Sequence, residues 1–532
     1  MNDKNWQNED AAEKFFASLD KGEIGGIDPE LVPYLDSTEE KTVENPIAET
    51  EAIRNLVEFS LLAGPLPEVV EEVSADSEDD HAQLLRRAQE DAKLRAKVHQ
   101  IYQQIQARAP EHDVQPSTAR VQKALYYLGD PQNAYDTIHI TGTNGKTSTA
   151  RMIDALATAQ GLKTGRFTSP HLQSVTERIS LEGQPISADS FIRAWEDVKD
   201  IIGLVDEDGV RLSFFEVFTV MAYAAFADYP IDLGVIEVGM GGKWDATNTI
   251  DSKVQVITPI SRDHEKWLGS TLTEIATEKA GIIKPGSVVV LAHQPEEARE
   301  ILLQKAAEVG AYVRELGTDI KVVSRQNAVG GQLISVRTPA ALYEDIYVPL
   351  FGAHQADNAA VALAAFEAYE GGDPVNPLIV EHGFAAVTSP GRAEIVRASP
   401  TIMIDAAHNP GGAKVLAALI EEMGYRNPVG VFSAMGDKDV EAVLAEVEPV
   451  LAEIVLVEMS GDRAMSLQRM QQIAVEVFGQ DRVKLAETLP EALDEAVTLS
   501  ENSGDALVGS AVIAFGSVVF VGEVRDLFRK GA

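Results

Sequence analysis

The stretch IHITGTNGKTS (residues 138–148) joins an apolar, β-branched run to two glycines and a Gly-Lys-Thr, and a helical pattern follows from residue 150 to about 160. The order strand, tight loop, helix makes a phosphate cradle, because glycines let backbone N–H groups turn toward an anion and the helix N-terminus adds its positive dipole end. The pattern predicts that Lys146 reaches the outer phosphates of a nucleoside triphosphate and that the Thr147 hydroxyl binds Mg²⁺.

This loop departs from the common phosphate-loop (P-loop) pattern at one position. The pattern has a glycine five residues before Gly145, where this chain has Ile140, and the nearest earlier glycine is Gly142. An ordinary strand-to-helix turn with a surface lysine is therefore an alternative that the loop alone leaves open.

The composition limits the classes of protein to consider. A chain of 532 residues with 45% hydrophobic residues predicts two or three domains with large cores. The absence of cysteine excludes disulfides and thiolate metal sites, and, with a polar N-terminus lacking a signal-peptide pattern, it favours a cytoplasmic location. The net charge of −38 disfavours nucleic acid as a partner, although a local basic pocket can still bind an anionic substrate.

Two segments need a separate interpretation. Residues 506–522 carry no charge, but Gly509 and Gly516 interrupt them, so we predict a buried strand with its preceding turn and no membrane partner. Residues 1–80 contain 22 Asp and Glu against 5 Lys and Arg. This composition predicts a largely disordered acidic extension, and a partner-binding arm is the alternative.

Strand and helix patterns alternate along the rest of the chain. Strands are predicted at 233–238, 254–257, 288–291, 402–405, 429–433, 454–457 and 512–515, and helices at 81–109, 118–128, 214–226, 295–309 and 411–423. Such alternation indicates βαβ units. We predict an α/β protein with two folded domains: a central ATPase domain (81–388) with N-terminal helices, the P-loop and a mainly parallel sheet, and a smaller, C-terminal Rossmann-like α/β domain (389–532).

Polar residues follow several of these strands. Glu237 ends a strand, where open α/β sheets bind ligands, so it is a candidate Mg²⁺ ligand. His264 and Lys279 are further candidates, although a histidine or lysine in such places is more often structural or exposed. Asp405 and His408 lie where a strand gives way to a helix, and there a capped helix start is an equally good explanation.

Taken together, the motifs resemble the folylpolyglutamate synthase/dihydrofolate synthase family of the Mur ligase superfamily. The resemblance covers roughly residues 82–532 and includes the family's shortened phosphate loop, which explains Ile140. It rests on these segments in order: TGTNGKTS (141–148), TSPHLQSVTERI (168–179), EVGMGGKWDATN (237–248), RDHEKWLGSTLTEIATEKAGIIKPG (262–286), GAHQADNAAVA (352–362), SPGRAEIV (389–396), DAAHNPGGA (405–413), MGDKD (435–439) and GSVVFVGEVR (516–525).

The resemblance implies an ATP-dependent ligase that adds L-glutamate to dihydropteroate, to reduced folates, or to both, through an acyl phosphate. It assigns catalytic roles to Lys146, Glu237, His264 and Lys279. It places one Mg²⁺ among Thr147, Ser169 and Glu237, and a second among Glu237, His264 and Lys279. The implied nucleotide contacts are Gly142, Thr143, Asn144, Gly145, Lys146, Thr147, Ser148, Asn358, Arg392, Asp405 and His408.

Further expectations come from the same resemblance. The lysine that matches Lys279 is often carbamylated in the family, which requires a lowered pKa and gives Mg²⁺ an oxygen ligand. Residues 169–178 resemble the family's folate-binding loop. A monovalent cation is a further cofactor that the family allows, and we expect a monomer whose partners are small molecules.

Two other functions are weighed against this one. A Mur-type ligase acting on a UDP-sugar peptide would carry an N-terminal domain for the UDP group, and residues 1–80 show no clear βαβ pattern. A nucleotide-dependent ATPase switch would need no second metal site, so the presence of Glu237, His264 and Lys279 argues against it.

Overall fold

The computed structural model describes residues 78–108, 116–207, 209, 211–501 and 509–530. The predicted acidic extension therefore lies outside the described residues except for its last three. Within the described ranges, no helix combines the length and the apolar character needed to span a bilayer. The uncharged stretch 506–522 contains the predicted buried strand (Ala511–Phe515), but its last residues begin a helix at Val518 that the sequence analysis did not predict.

The first part of the described chain contains ten helices and eleven strands within the described residues. In chain order they are α1 (Glu78–Gln106), α2 (Ala119–Tyr127), β1 (Asp136–Thr141), α3 (Lys146–Ala159), β2 (Thr164–Phe167), β3 (Ile179–Leu181), β4 (Gln184–Pro185), α4 (Ala188–Asp206), α5 (Phe214–Asp228), β5 (Leu233–Glu237), β6 (Val254–Ile257), α6 (Glu265–Leu268), α7 (Leu272–Lys279), β7 (Val288–Leu291), α8 (Glu296–Val309), β8 (Tyr312–Glu315), β9 (Lys321–Ala328), β10 (Gly331–Arg337), β11 (Leu342–Val348), α9 (Ala353–Tyr369) and α10 (Pro377–Ala385).

Eight of these strands form one sheet in the order β4-β3-β2-β5-β1-β6-β7-β8. All neighbours are parallel except the pairs β2–β3 and β3–β4, as expected for a mainly parallel sheet. The strands β9, β10 and β11 form a separate antiparallel sheet, which the sequence analysis did not predict.

The central strand β1 is buried on both faces, because helices cover each side of the sheet. Ile138 and Ile140 pack with α3 and α9 on one face. Side chains of α1, α4 and α5 form the core on the other face, together with Ile236 of β5. Successive side chains of a strand point to opposite faces of the sheet. Because both faces are covered here, these strands appear in the sequence as continuous apolar runs.

The C-terminal part of the chain forms a second sheet of six strands. Its elements are β12 (Glu394–Ala398), β13 (Thr401–Asp405), α11 (Pro410–Met423), β14 (Val429–Phe432), α12 (Val440–Val447), β15 (Glu453–Leu456), α13 (Leu467–Phe478), β16 (Val483–Leu485), α14 (Leu489–Glu501), β17 (Ala511–Phe515) and α15 (Val518–Lys530). The order is β12-β13-β17-β14-β15-β16, parallel except for β12–β13. The predicted α/β fold class is confirmed, whereas the boundary between residues 388 and 389 stays a prediction.

The register of the first sheet sets the position of the site. In β1, Ile140 pairs with Glu237 of β5, and Thr141 pairs with Ile257 of β6. The three strands therefore end at the same edge, and the loops that follow them meet there. Ligands of open α/β sheets bind at this edge.

Candidate active site

The phosphate loop follows β1 and depends on two glycines. Gly142 has φ +145°, and a Cβ there would lie 1.9 Å from Thr258 Oγ1. Gly145 has φ +88°, and a Cβ there would lie 2.8 Å from Asn358 Oδ1. Helix α3 begins at Lys146, four residues earlier than predicted, so its N-terminus is part of the loop. The loop thus has the backbone geometry of an anion site.

Two lysines meet at this loop. Lys146 Nζ donates to the carbonyl oxygens of Gly142 (3.2 Å) and Thr143 (3.1 Å), and Lys279 Nζ donates to Gly142 O at 2.8 Å. Burial lowers the pKa of Lys146, although Glu237 and Asp263 oppose the shift. Burial and the positive charge of Lys146 lower the pKa of Lys279 to about 7. A neutral amine at Lys279 is therefore accessible near neutral pH, as the sequence analysis expected.

Glu237 lies beneath the loop with 1% of its surface exposed. Both of its carboxylate oxygens accept from the Thr147 hydroxyl at 3.0 Å. Burial raises the pKa of Glu237, while Lys146, Thr147 and the Ser169 backbone act in the opposite direction. Carboxylate and hydroxyl oxygens are the donors that Mg²⁺ prefers, so Thr147, Ser169 and Glu237 fit the metal predicted for them.

Asp263 connects the two sheets. Its Oδ1 accepts from Lys438 Nζ at 2.7 Å, and its Oδ2 lies 3.6 Å from His408 Nε2 and 3.2 Å from Asn409 Nδ2. Burial alone would raise the pKa of this carboxyl, but His408, His264 and Lys438 hold it well below its usual range. A single carboxylate of the first sheet thus binds three side chains of the second.

A pair of asparagines makes a further contact across the same boundary. Asn144 of the phosphate loop and Asn409 exchange hydrogen bonds of 3.2 and 3.1 Å. Asn409 also caps α11, because its Oδ1 accepts from Gly412 N at 2.8 Å. Close by, the hydroxyls of Ser148 and Ser389 lie 2.9 Å apart. Ser389 and Asn409, near the start of the C-terminal part, are therefore hydrogen-bonded directly to the phosphate loop and the first turn of α3.

Comparison with known proteins identifies this arrangement. Residues 140–366 match the Mur ligase middle domain, and residues 391–516 match the Mur ligase glutamate ligase domain. The dihydrofolate synthase/folylpolyglutamate synthase of Mycobacterium tuberculosis is 45% identical over 460 residues, which are 82% of this chain and 94% of that protein. The chain belongs to the dihydrofolate synthase/folylpolyglutamate synthase family of Mur ligases.

Solved structures of this family have the same fold. The M. tuberculosis folylpolyglutamate synthase complexed with ADP and AMPPCP superposes with a TM-score of 0.78, over 82% of this chain and 99% of that one, at 45% identity. E. coli FolC in complex with DHPP and ADP gives 0.71, over 82% and 98%, at 26% identity. The prediction of a ligase of this family is confirmed.

Other residues that the family resemblance assigned lie around the same crevice. Asn358 contacts Gly145 and donates to Gln355 Oε1 at 3.1 Å. Arg392 lines a crevice that also includes Thr147. Asp405 accepts from Ala393 N and Ala407 N, each at 2.8 Å. Asp405 thus binds backbone N–H groups outside the helix, whereas Asn409 caps α11, and nucleotide contact by Asp405 and His408 stays a prediction.

The residues predicted to hold the second Mg²⁺, which are Glu237, His264 and Lys279, do not contact one another through hydrogen bonds or ion pairs in the described part of the chain. The side chain of His264 is 40% exposed, and its Nε2 lies 3.9 Å from Asp263 Oδ2. No cluster of three His, Cys, Asp or Glu side chains able to hold a metal occurs among the described residues. The ligand roles of these residues stay predictions.

The sequence analysis did not identify the buried polar residues that hold the segment after Glu237 in place. Asp245 accepts from Met240 N and Thr247 N at 2.9 Å each, and the Thr247 hydroxyl lies 2.9 Å from Nε2 of the buried His139. This network holds the segment after Glu237 against β1. Lys438 was visible only as part of the MGDKD motif, and Asp263 only as the neighbour of His264.

Proposed function

We propose that this chain joins L-glutamate to dihydropteroate, to reduced folates, or to both, at the expense of ATP. A carboxylate is a poor electrophile, so the γ-phosphoryl group is first transferred to the acid to give an acyl phosphate. The glutamate amine then attacks the carbonyl carbon, and phosphate leaves from the tetrahedral intermediate. Catalysis of this kind depends mainly on positioning and on neutralisation of charge.

One observation carries the proposal: the buried Glu237 lies against Thr147 beneath a glycine loop that opens α3 at Lys146. In this arrangement the loop N–H groups and Lys146 hold the β- and γ-phosphates. Asn358 and Arg392 would contact the rest of the nucleotide. Related proteins in complex with ADP, with DHPP and with folate support the same substrates here.

The donor set at the loop fits Mg²⁺. Thr147, Ser169 and Glu237 would hold one ion, and Glu237 and His264, with a carbamylated Lys279, would hold the second. When bound, these ions neutralise charge on the phosphates. A carbamate on Lys279 would also replace a positive charge next to Lys146 by a negative one, and the lowered pKa of Lys279 supports this modification.

The second sheet contributes by covering the phosphate loop. Asn409 contacts the loop through Asn144, while Lys438 and His408 reach Asp263. These contacts hold the two parts of the enzyme together around the reacting groups. Water is thereby kept from the acyl phosphate, which would otherwise hydrolyse.

Product analysis tests the proposal. The full-length protein is incubated with ATP, Mg²⁺ and L-glutamate, and separately with dihydropteroate or tetrahydrofolate as the acid. We expect one ADP and one phosphate for each new amide bond. ADP release that needs neither acid nor glutamate would favour the ATPase switch, and ligation only to a UDP-sugar peptide would favour the other Mur-type activity.

A further inference from the structure

Arg151 lies in the crevice where the two parts of the enzyme meet. It follows Thr147 by one turn of α3, about 6 Å along the helix axis, so both residues face the same side. The crevice is also lined by Thr168, Pro170 and Leu172, which belong to the segment with the predicted folate-binding loop. Arg151 therefore lies between the phosphate site and that loop.

Several buried or half-buried arginines elsewhere in the described chain form ion pairs with carboxylates. Examples are Arg166 with Asp154, Arg120 with Glu216 and Arg525 with Glu394. Arg151 forms no such pair with a described residue, and its guanidinium donates only to the carbonyl oxygen of Thr388, at 3.4 Å. Its charge is therefore left for a ligand.

Glu177, an acid that also lines the crevice, already accepts several hydrogen bonds. Glu177 accepts from the backbone N–H groups of Leu172 (2.8 Å), Gln173 (3.1 Å) and Ser174 (2.8 Å), which orders the 169–178 loop. Its carboxylate is thus used by its own loop. Burial and the neighbouring Arg166 lower the pKa of Arg151 to about 10, although the charges of Glu177, Asp154 and Glu237 oppose the shift.

The two acid substrates differ in the group that Arg151 could recognise. A reduced folate ends in a glutamate with two carboxylates: the γ-carboxylate that reacts and the α-carboxylate, a short methylene chain away. Dihydropteroate has only the carboxylate that reacts. Because Arg151 lies one turn of α3 from Thr147 in the same crevice, it is within reach of a second carboxylate on a substrate whose reacting carboxylate lies near Thr147.

We infer that Arg151 binds the α-carboxylate of the terminal glutamate of a folate substrate and so distinguishes folate from dihydropteroate. The inference rests on the proposed function. A planar guanidinium matches a carboxylate in two parallel hydrogen bonds, and an ammonium does not. Arg151 is a binding residue for one of the two acids and takes no part in phosphoryl transfer.

The test compares Arg151→Ala and Arg151→Lys with the wild type in full-length enzyme. For Arg151→Ala we expect the KM for tetrahydrofolate to rise about tenfold to a hundredfold, the effect of losing a charge-assisted hydrogen bond. The KM values for dihydropteroate, ATP and glutamate should change less than about twofold, within the effect of an ordinary surface change. Arg151→Lys should recover part of the loss.

Arg193→Ala is the matched control, because Arg193 is an exposed arginine on α4 that bonds Ser190. This control variant should have the wild-type KM values for both tetrahydrofolate and dihydropteroate. A second arm needs no variant: a folate whose α-carboxylate is converted to the amide should bind the wild type as weakly as unmodified folate binds Arg151→Ala. In Arg151→Ala the amide should cause no further loss.

Each other outcome overturns the inference. Equal changes in KM for both acids, a change confined to glutamate, or no change would place Arg151 in another role. Wild-type enzyme that accepts the α-amide as well as folate, or that accepts only dihydropteroate, would also contradict it and leave the ligase reaction intact. Absence of ligation with either acid would instead overturn the proposed function.

Discussion

The two sheets contribute to the active site in different ways. In the part with the eight-stranded sheet, Glu237 at the end of β5 and Lys279 at the end of α7 are almost fully buried and bonded to the phosphate loop and the first turn of α3. Residues of the six-stranded sheet, such as His408 and Lys438, lie in loops, remain partly exposed and bond across the crevice to Asp263. The first pair is held by contacts within its own part of the chain, and the second pair reaches Asp263 only where the two parts are in contact.

This difference suggests a hypothesis of two separate tasks: binding of the nucleotide, and closure of the enzyme over the reacting groups. The phosphate loop and the residues proposed to hold Mg²⁺ all belong to the part with the eight-stranded sheet, so we expect binding of the phosphates to depend mainly on packing within that part. We expect closure over the reacting groups to depend on contacts such as that of Asp263 with Lys438. We therefore expect substitutions at the phosphate loop to abolish phosphoryl transfer, and loss of the contact between Asp263 and Lys438 to weaken ligation while sparing nucleotide binding.

The largest effect is expected for Lys146→Ala. Without this ammonium the outer phosphates lose their positioning charge, and kcat/KM should fall about 10³-fold or more. Product formation from dihydropteroate, ATP and glutamate measures the loss, with thermal unfolding as the check that the fold persists. Normal turnover in this variant would refute the loop assignment.

Lys279→Ala tests the carbamate. We expect a loss of at least about 100-fold in kcat, the scale for one positioned electrostatic group. Short-chain carboxylates should restore part of the activity, because they can supply the missing oxygen ligand. Failure of formate and acetate to rescue a folded variant would leave the carbamate unsupported.

Lys438→Met removes the ion pair between the sheets. Its side chain is only 13% exposed, so loss of its bond to Asp263 should lower kcat/KM about tenfold to a hundredfold. Nucleotide affinity, measured by calorimetry with ADP, should stay near that of the wild type. A matching loss of ADP affinity would show that the two tasks are not separate.

The smallest effect is expected at Asn409, where capping and contact between the sheets can be separated. Asn409→Ala should lower the free energy of unfolding by about 1 kcal/mol, because α11 loses its cap. Asn409→Asp keeps the cap but places a second carboxylate beside Asp263. It should unfold like the wild type and ligate more slowly; wild-type rates would mean that this contact is dispensable.

Local patterns predicted much of the fold. The β1 loop, the strands at 254–257 and 288–291, and the C-terminal α/β part follow from apolar runs bounded by turn residues. The antiparallel sheet β9-β10-β11 was missed, because its outer strands β9 and β11 are partly exposed and alternate only weakly. Helix α15 was missed because its first residues continue the apolar run of the preceding strand.

For the site, the sequence by itself determined which residue types bind phosphate and metal, since glycine spacing, Gly-Lys-Thr and strand-end carboxylates are local features. Only the tertiary structure decided that Asp263 binds Lys438 and His408, that Asn144 pairs with Asn409, and that Arg151 forms no ion pair with a described residue. These facts depend on contacts between residues far apart in the chain, and such contacts are set by how the sheets and their loops pack, which no local pattern records.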